Sequence, residues 1–136
     1  MTKILVVDND PSVLRSYGRL LRRSGYETVT DGGGPGLLER LDGHRDSDLL
    51  IIDYKMPEQD GLSVLESLHR RGRALKTILI SAFATEEVRR RAVALGVHQV
   101  LEKPVDVSRL RASIRDALAG SDGPCEGDGR RFPEGA

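Results

Sequence analysis

The chain has 136 residues, with 21 Lys plus Arg against 21 Asp plus Glu, three histidines and one cysteine. That length suits one domain with a short tail, and a formal charge of zero removes the basic excess on which non-specific nucleic-acid binding depends. Cys125 cannot form an internal disulfide, which suits a reducing compartment. The pattern enters a strand directly after Met1-Thr2-Lys3, leaving no room for a signal peptide, and no apolar run reaches membrane-spanning length, so a cytoplasmic location is expected.

Taken in chain order, Ile4-Leu5-Val6-Val7 predicts a buried strand that ends in Asp8-Asn9-Asp10. Val13, Leu14, Tyr17, Leu20 and Leu21 then repeat at helical spacing, with Asp10 placed to cap, Pro11 in the first turn and Gly25 beyond the end. Tyr26 to Thr30 alternates weakly and reads as an edge strand. The next helix, from Gly32-Gly33-Gly34-Pro35-Gly36 into Leu37 to Leu41, has a poor start because glycine is costly there, and is expected to be short or mobile. Leu49-Leu50-Ile51-Ile52 predicts a second buried strand ending in Asp53, followed by a Pro57 loop, the turn pair Asp60-Gly61 and a helix marked by Leu62, Val64, Leu65 and Leu68. Ile78-Leu79-Ile80 ends in Ser81. Thr85 with Glu86 and Glu87 caps and complements the dipole of a helix through Val88, Ala92 and Leu95. Val97 to Leu101 leads to Glu102-Lys103-Pro104, and Asp106 caps a last helix whose inward face is Val107, Leu110, Ile114 and Leu118. Residues 120–136 are rich in Gly, Pro and charge, and are expected to form a disordered tail or a truncated linker after a domain spanning residues 1–119.

Five strands alternating with five helices point to a doubly wound α/β fold with a parallel sheet. In such sheets ligands bind beyond the carboxyl ends of the strands. Asp8, Asp53, Ser81 and Lys103 each close an apolar run and would gather at that one edge. Two or three carboxylates there repel each other unless a hard cation holds them ionised. Oxygen ligands without a His or thiol cluster favour magnesium, with manganese as the alternative, and a phosphate oxygen as a further ligand. Asp53 is the candidate nucleophile for an acyl phosphate, Lys103 a fixed positive charge and Ser81 a hydroxyl donor for phosphoryl oxygens. Competing readings are plainer. Asp10 serves equally well as an N-cap, the glycine run lacks the Lys-Ser or Lys-Thr of a phosphate cradle, and Arg70-Arg71 and Arg89-Arg90-Arg91 read as solvated helix faces. His44, His69 and His98 show no ligand spacing.

Ile4 to Asp10, Asp53 to Gly61, Ser81-Ala82 and Lys103-Pro104, in this order and spacing, resemble the receiver domain of bacterial response regulators, the CheY-like family, over residues 3–119. The resemblance implies a flavodoxin-like sheet of order 2-1-3-4-5. It makes Asp53 the phosphoacceptor and Asp8 a magnesium ligand, with the Lys55 backbone carbonyl completing the metal site. It also makes Ser81 the switch hydroxyl, Lys103 the phosphoryl-binding cation and Lys103-Pro104 a cis bond. Implied partners are a sensor histidine kinase or histidine phosphotransfer protein, and a downstream protein or a second copy docking on helix four, strand five and helix five; neither nucleic acid nor membrane contact is implied for this chain. The chain would then be a regulatory phosphoacceptor rather than a turnover enzyme. Two positions depart from the family pattern. Asn9 stands where a second acidic metal ligand is usual, with Asp10 as a further candidate ligand, and Val100 stands where an aromatic switch residue is frequent. Phe83 is a candidate shield for the phosphoryl site. A non-phosphorylated pseudo-receiver acting as an interaction module, and an aspartyl-phosphate phosphotransferase or phosphatase, are the alternatives carried alongside.

Overall fold

Alternation within each strand sorts the core into two layers. In the computed structural model, which describes residues 1–73 and 75–119, the strands are β1 (Lys3–Val7), β2 (Glu27–Asp31), β3 (Leu49–Asp53), β4 (Thr77–Ser81) and β5 (Gln99–Glu102). The helices are α1 (Pro11–Arg23), α2 (Leu37–Asp42), α3 (Gly61–Arg70), α4 (Glu86–Ala94) and α5 (Val107–Ala119). Leu5, Val7, Leu50, Ile52, Leu79 and Val100 face one side of the sheet with the apolar residues of α2, α3 and α4. Ile4, Val6, Leu49, Ile51, Ile78, Ile80 and Leu101 face the other with those of α1 and α5. Burial on both faces explains why the strands read as unbroken apolar runs, and each buried aliphatic side chain contributes about 1.5–3 kcal/mol.

All neighbouring strands run parallel, in the order β2-β1-β3-β4-β5. This is the doubly wound order expected, with β2 on an edge. Among the described residues no helix is long and apolar enough to cross a membrane. The expectations for residues 120–136, Cys125 among them, fall outside the described residues.

The helix starts follow their caps. Asp10 accepts a hydrogen bond from the Ser12 amide at 2.9 Å with Pro11 at the first position of α1, Thr85 accepts from Val88 at 3.2 Å, and Asp106 accepts from Arg109 at 3.3 Å. These side chains satisfy amides that a helix leaves unpaired at its start. One inward assignment fails: Val107 is 52% exposed. As the first residue of α5 it precedes the buried stripe of Leu110, Ile114 and Ala117, so the helical period holds but its apolar face begins a turn later.

The glycine run shortens α2 to six residues. Gly33, Gly34 and Gly36 all have positive φ near +82°, a conformation that ends rather than starts a helix. The loop is nonetheless pinned. Arg40 donates to both carboxylate oxygens of Asp31 and to the carbonyls of Gly33 and Pro35.

Candidate functional site

Strand register sets the positions of the reactive residues. Val7 pairs with Ile52, so the next residues along both strands, Asp8 and Asp53, leave the sheet side by side. Asp53 pairs with Ile80 and Ser81 with Glu102, which puts Ser81 and Lys103 at the same edge. Main-chain bonds from Tyr54 to the Ile80 carbonyl at 2.7 Å and from Lys103 to the Ser81 carbonyl at 2.9 Å lock β3, β4 and β5 together there. The Lys103-Pro104 bond is cis.

All four predicted residues converge. The Lys103 Nζ lies 3.2 Å from Asp53 Oδ1 and 3.6 Å from Asp8 Oδ2. Asp8, Asp53 and Ser81 are 3%, 5% and 1% exposed, while the Lys103 side chain reaches the pocket from a partly exposed position. Burial, and then the neighbouring Asp8 carboxylate, push the Asp53 carboxyl above its ordinary range; the Lys103 ammonium and the Lys55 amide only partly offset them. Burial also works against the Lys103 ammonium, but Asp53 and Asp8 outweigh it and hold that group above the ordinary lysine value. One ammonium shared between two buried carboxylates leaves the pocket short of positive charge.

That shortage is what a hard cation would relieve, so the donor set fits one. Among the described residues no three His, Cys, Asp or Glu side chains gather as a metal cluster. The acid pair offers two carboxylates, and a cation held by so few protein ligands would keep most of its waters. Asp8 and Asp53 would hold it, with Asn9, exposed at the rim, and the main chain at Lys55 as further oxygen sources. Asp10 is otherwise engaged, since its amide donates to Asp8 Oδ1 at 2.9 Å and its carboxylate caps α1.

Ser81 is committed to its own loop. Its hydroxyl donates to the Phe83 carbonyl at 3.0 Å and accepts from the Phe83 amide at 3.1 Å. Phe83 itself is 70% exposed, so its ring stands in solvent instead of covering the pocket as a shield would. Val100 is buried in the α2–α4 core layer and has no large ring to swing.

Three supporting residues escaped the sequence reading. Asp60 is the N-cap of α3, accepting from the Ser63 amide at 2.8 Å, although it looked like half of a turn pair; the apolar run after it was the available signal. A Cβ on Gly61 would lie 2.5 Å from the Asp53 carbonyl oxygen, so glycine is needed there for close backbone approach. No local pattern could show that contact. Tyr17, assigned only to the core, is half-buried near the pocket. Burial raises its phenol above the ordinary range, Asp8 and Asp53 add to that, and Lys103 opposes it.

Comparisons with known proteins agree with this geometry. Residues 4–115 match the response regulator receiver domain family. The chain is 31% identical over 119 residues to the chemotaxis protein CheY of Treponema pallidum, covering 85% of this chain and 82% of that protein. It is 33% identical over 116 residues to the transcriptional regulatory protein ZraR of Escherichia coli O157:H7, but spans only 26% of that protein's length. A response regulator receiver domain protein from Clostridium thermocellum superposes with a TM-score of 0.79 at 25% identity, over 87% of this chain and 94% of the other. The chemotaxis protein CheY4 of Vibrio cholerae, at 23% identity and a TM-score of 0.79, shares the fold. A parallel sheet ending in a buried acid pair beside a lysine, and a family match running almost from β1 to the end of α5, place this chain among the receiver domains of two-component response regulators.

Proposed function

We propose that Asp53 accepts a phosphoryl group from a phosphohistidine on a sensor histidine kinase or phosphotransfer protein, and that its phosphorylation alters the surface of α4, β5 and α5. The observation that carries this reading is the contact of Lys103 with both buried carboxylates at the sheet edge. Geometry of this kind holds a nucleophile and a charge neutraliser within contact of each other.

In the transfer a carboxylate oxygen of Asp53 bonds to phosphorus as the phosphorus–nitrogen bond of the donor breaks, and the imidazole departs with its electron pair and takes up a proton. Lys103 faces the pocket and neutralises charge on a phosphoryl oxygen. Ser81 gives up its hydrogen bond to the Phe83 carbonyl and donates to another phosphoryl oxygen. Asp8 and Asp53 would hold magnesium, as the family resemblance implies, and it would supply charge neutralisation for the two carboxylates and the phosphoryl oxygens. The aspartyl phosphate adds charge and acceptor oxygens that bias a two-state equilibrium of the β4–α4 loop. The domain so described covers residues 1–119.

Incubation with magnesium and acetyl phosphate, followed by intact mass measurement, tests this. Wild type is expected to gain one phosphoryl group and Asp53→Asn none. No adduct on wild type would leave the interaction-module reading; rapid multiple turnover of the donor would favour a phosphatase.

A further inference from the structure

The glycine loop between β2 and α2 is costly to order. Gly33, Gly34 and Gly36 all hold positive φ, and glycine loses more backbone freedom on folding than any other residue. Arg40 supplies the order. It forks onto Asp31, donating from Nε at 2.7 Å and from Nη2 at 2.9 Å, and it reaches the carbonyls of Gly33 at 2.9 Å and Pro35 at 2.8 Å. The Gly33 amide donates to the same Asp31 carboxylate at 2.9 Å. An isolated exposed ion pair contributes little, but a bidentate fork with main-chain carbonyls added is stronger and directional. Burial works against the Asp31 carboxylate, yet the bonds from Arg40 and Gly33 outweigh it and hold that group below its ordinary value. A Cβ on Gly36 would lie 2.9 Å from Arg40 Nη1, so the guanidinium fills the space that a side chain there would take.

The clamped loop touches the acid pocket at two points. Val7 pairs with Asp31, and the Asp31 carbonyl accepts from the Asp8 amide at 3.1 Å. On the other side Gly33 lies against Met56, whose Sδ would be 3.3 Å from a Cβ at that position. Met56 is buried and directly follows Lys55 in the loop that leaves β3. Asp8 and the Lys55 main chain are the groups on the cation side of the pocket. Ser81 and Lys103, by contrast, leave β4 and β5, on the far side of β3 from this loop.

We propose that Arg40 is a positioning residue for magnesium, its fork on Asp31 and the glycine loop holding Asp8 and the main chain at Lys55 in place; this rests on the reading of Asp8 and Asp53 as the cation site. The link runs through main chain and packing, not through contact with the metal. It bears on the cation side of the pocket and leaves the lysine and serine side alone.

The test compares wild type with Arg40→Gln in the full chain. Magnesium affinity, read by calorimetric titration, is expected to fall about fivefold, less than the tenfold or more typical of residues that touch a metal ligand directly. The sign is diagnostic. Removing a positive charge near the pocket would by its field alone draw magnesium in more tightly, so a loss reports positioning. Arg40→Lys keeps the charge without the fork and is expected to lose nearly as much. In metal-free protein well below its melting temperature, amide exchange should speed up at Asp8 and Gly33 of Arg40→Gln but not in α5. Phosphorylation by acetyl phosphate should recover at saturating magnesium, which puts the loss in the magnesium dependence. An affinity of Arg40→Gln within twofold of wild type, or higher, overturns the proposal. So does full recovery by Arg40→Lys, which would make the charge and not the fork the cause. So does faster exchange that extends equally over α5, the mark of a general loss of stability. A wild type that binds no magnesium refutes the cation site itself and this proposal with it, an outcome distinct from wild type and variant binding alike.

Discussion

Asn9 and Asp53 set the electrostatics of the pocket, and each makes a prediction at the level of a single side chain. With Asn9 in place of a carboxylate, the proposed cation site would contain Asp8 and Asp53, the only buried acids among the described residues. Placing a charge there by Asn9→Asp should tighten magnesium binding roughly tenfold, since a carboxylate oxygen attracts the cation more strongly than an amide oxygen. Calorimetric titration checks it, and equal affinities would refute it. Asp53 gives a stability prediction with a definite sign. Its carboxyl is raised in the folded state, by burial first and Asp8 second, so the native protein binds more protons than the unfolded chain between the two pKa values. Stability therefore falls as pH rises through that window. Asp53→Asn removes the ionisable group and should melt higher than wild type at pH 7 without magnesium. The difference should shrink as the pH is lowered through the carboxylate range. Adding magnesium should raise the melting point of wild type more than that of the variant, because only wild type offers both carboxylates. A variant that melts lower at neutral pH would contradict the assignment of burial as the dominant cause.

At the level of elements, the contact between α3 and β3 shows how far local pattern reading carries. Apolar runs, caps and helical spacing were legible because each is set by neighbours in sequence: Asp10, Thr85 and Asp106 cap as expected. The requirement at Gly61 was not legible, because it comes from the Asp53 carbonyl, reached only once the chain has folded back. Gly61→Ala should cost roughly 1–3 kcal/mol, the usual scale of overpacking, since the obstructing atom belongs to the backbone and cannot rotate away. An unfolding free energy from urea titration lowered by less than that, with unchanged phosphorylation of Asp53 by acetyl phosphate, would show that the loop yields easily. The start of α2 was legible in part. Glycine chemistry predicts its shortness, but Arg40, four acceptors in hand, supplies an order that composition alone does not reveal. Val107 makes the opposite lesson: period assigned it inward, and its place at the very start of α5 left it in solvent.

Across the whole molecule, strand order and register turn residues scattered over the sequence into one pocket, and they also decide how a change there can leave it. The acid pair, the lysine and the serine were legible because each closes an apolar run, and parallel strands share an edge. The direction of the signal was less so, because it depends on which hydrogen bonds Ser81 holds at rest. Its hydroxyl bridges both main-chain groups of Phe83, and Lys103 is tied through its amide to the Ser81 carbonyl, so the β4–α4 loop and β5 are joined at one residue. With Val100 too small to act as a swinging ring, the proposed switch would act through the loop itself. When Ser81 Oγ moves toward a phosphoryl oxygen it leaves both main-chain groups of Phe83, the carbonyl it donates to and the amide it accepts from, and the loss at the amide is measurable. Hydrogen exchange of the peptide containing Phe83 should speed up on phosphorylation of wild type by acetyl phosphate. In Ser81→Ala the same amide should exchange fast from the outset and respond little to phosphorylation of Asp53. If wild type and Ser81→Ala showed the same change, coupling through this hydroxyl would be excluded, and the path from Asp53 to α4 and β5 would have to run through Lys103 alone.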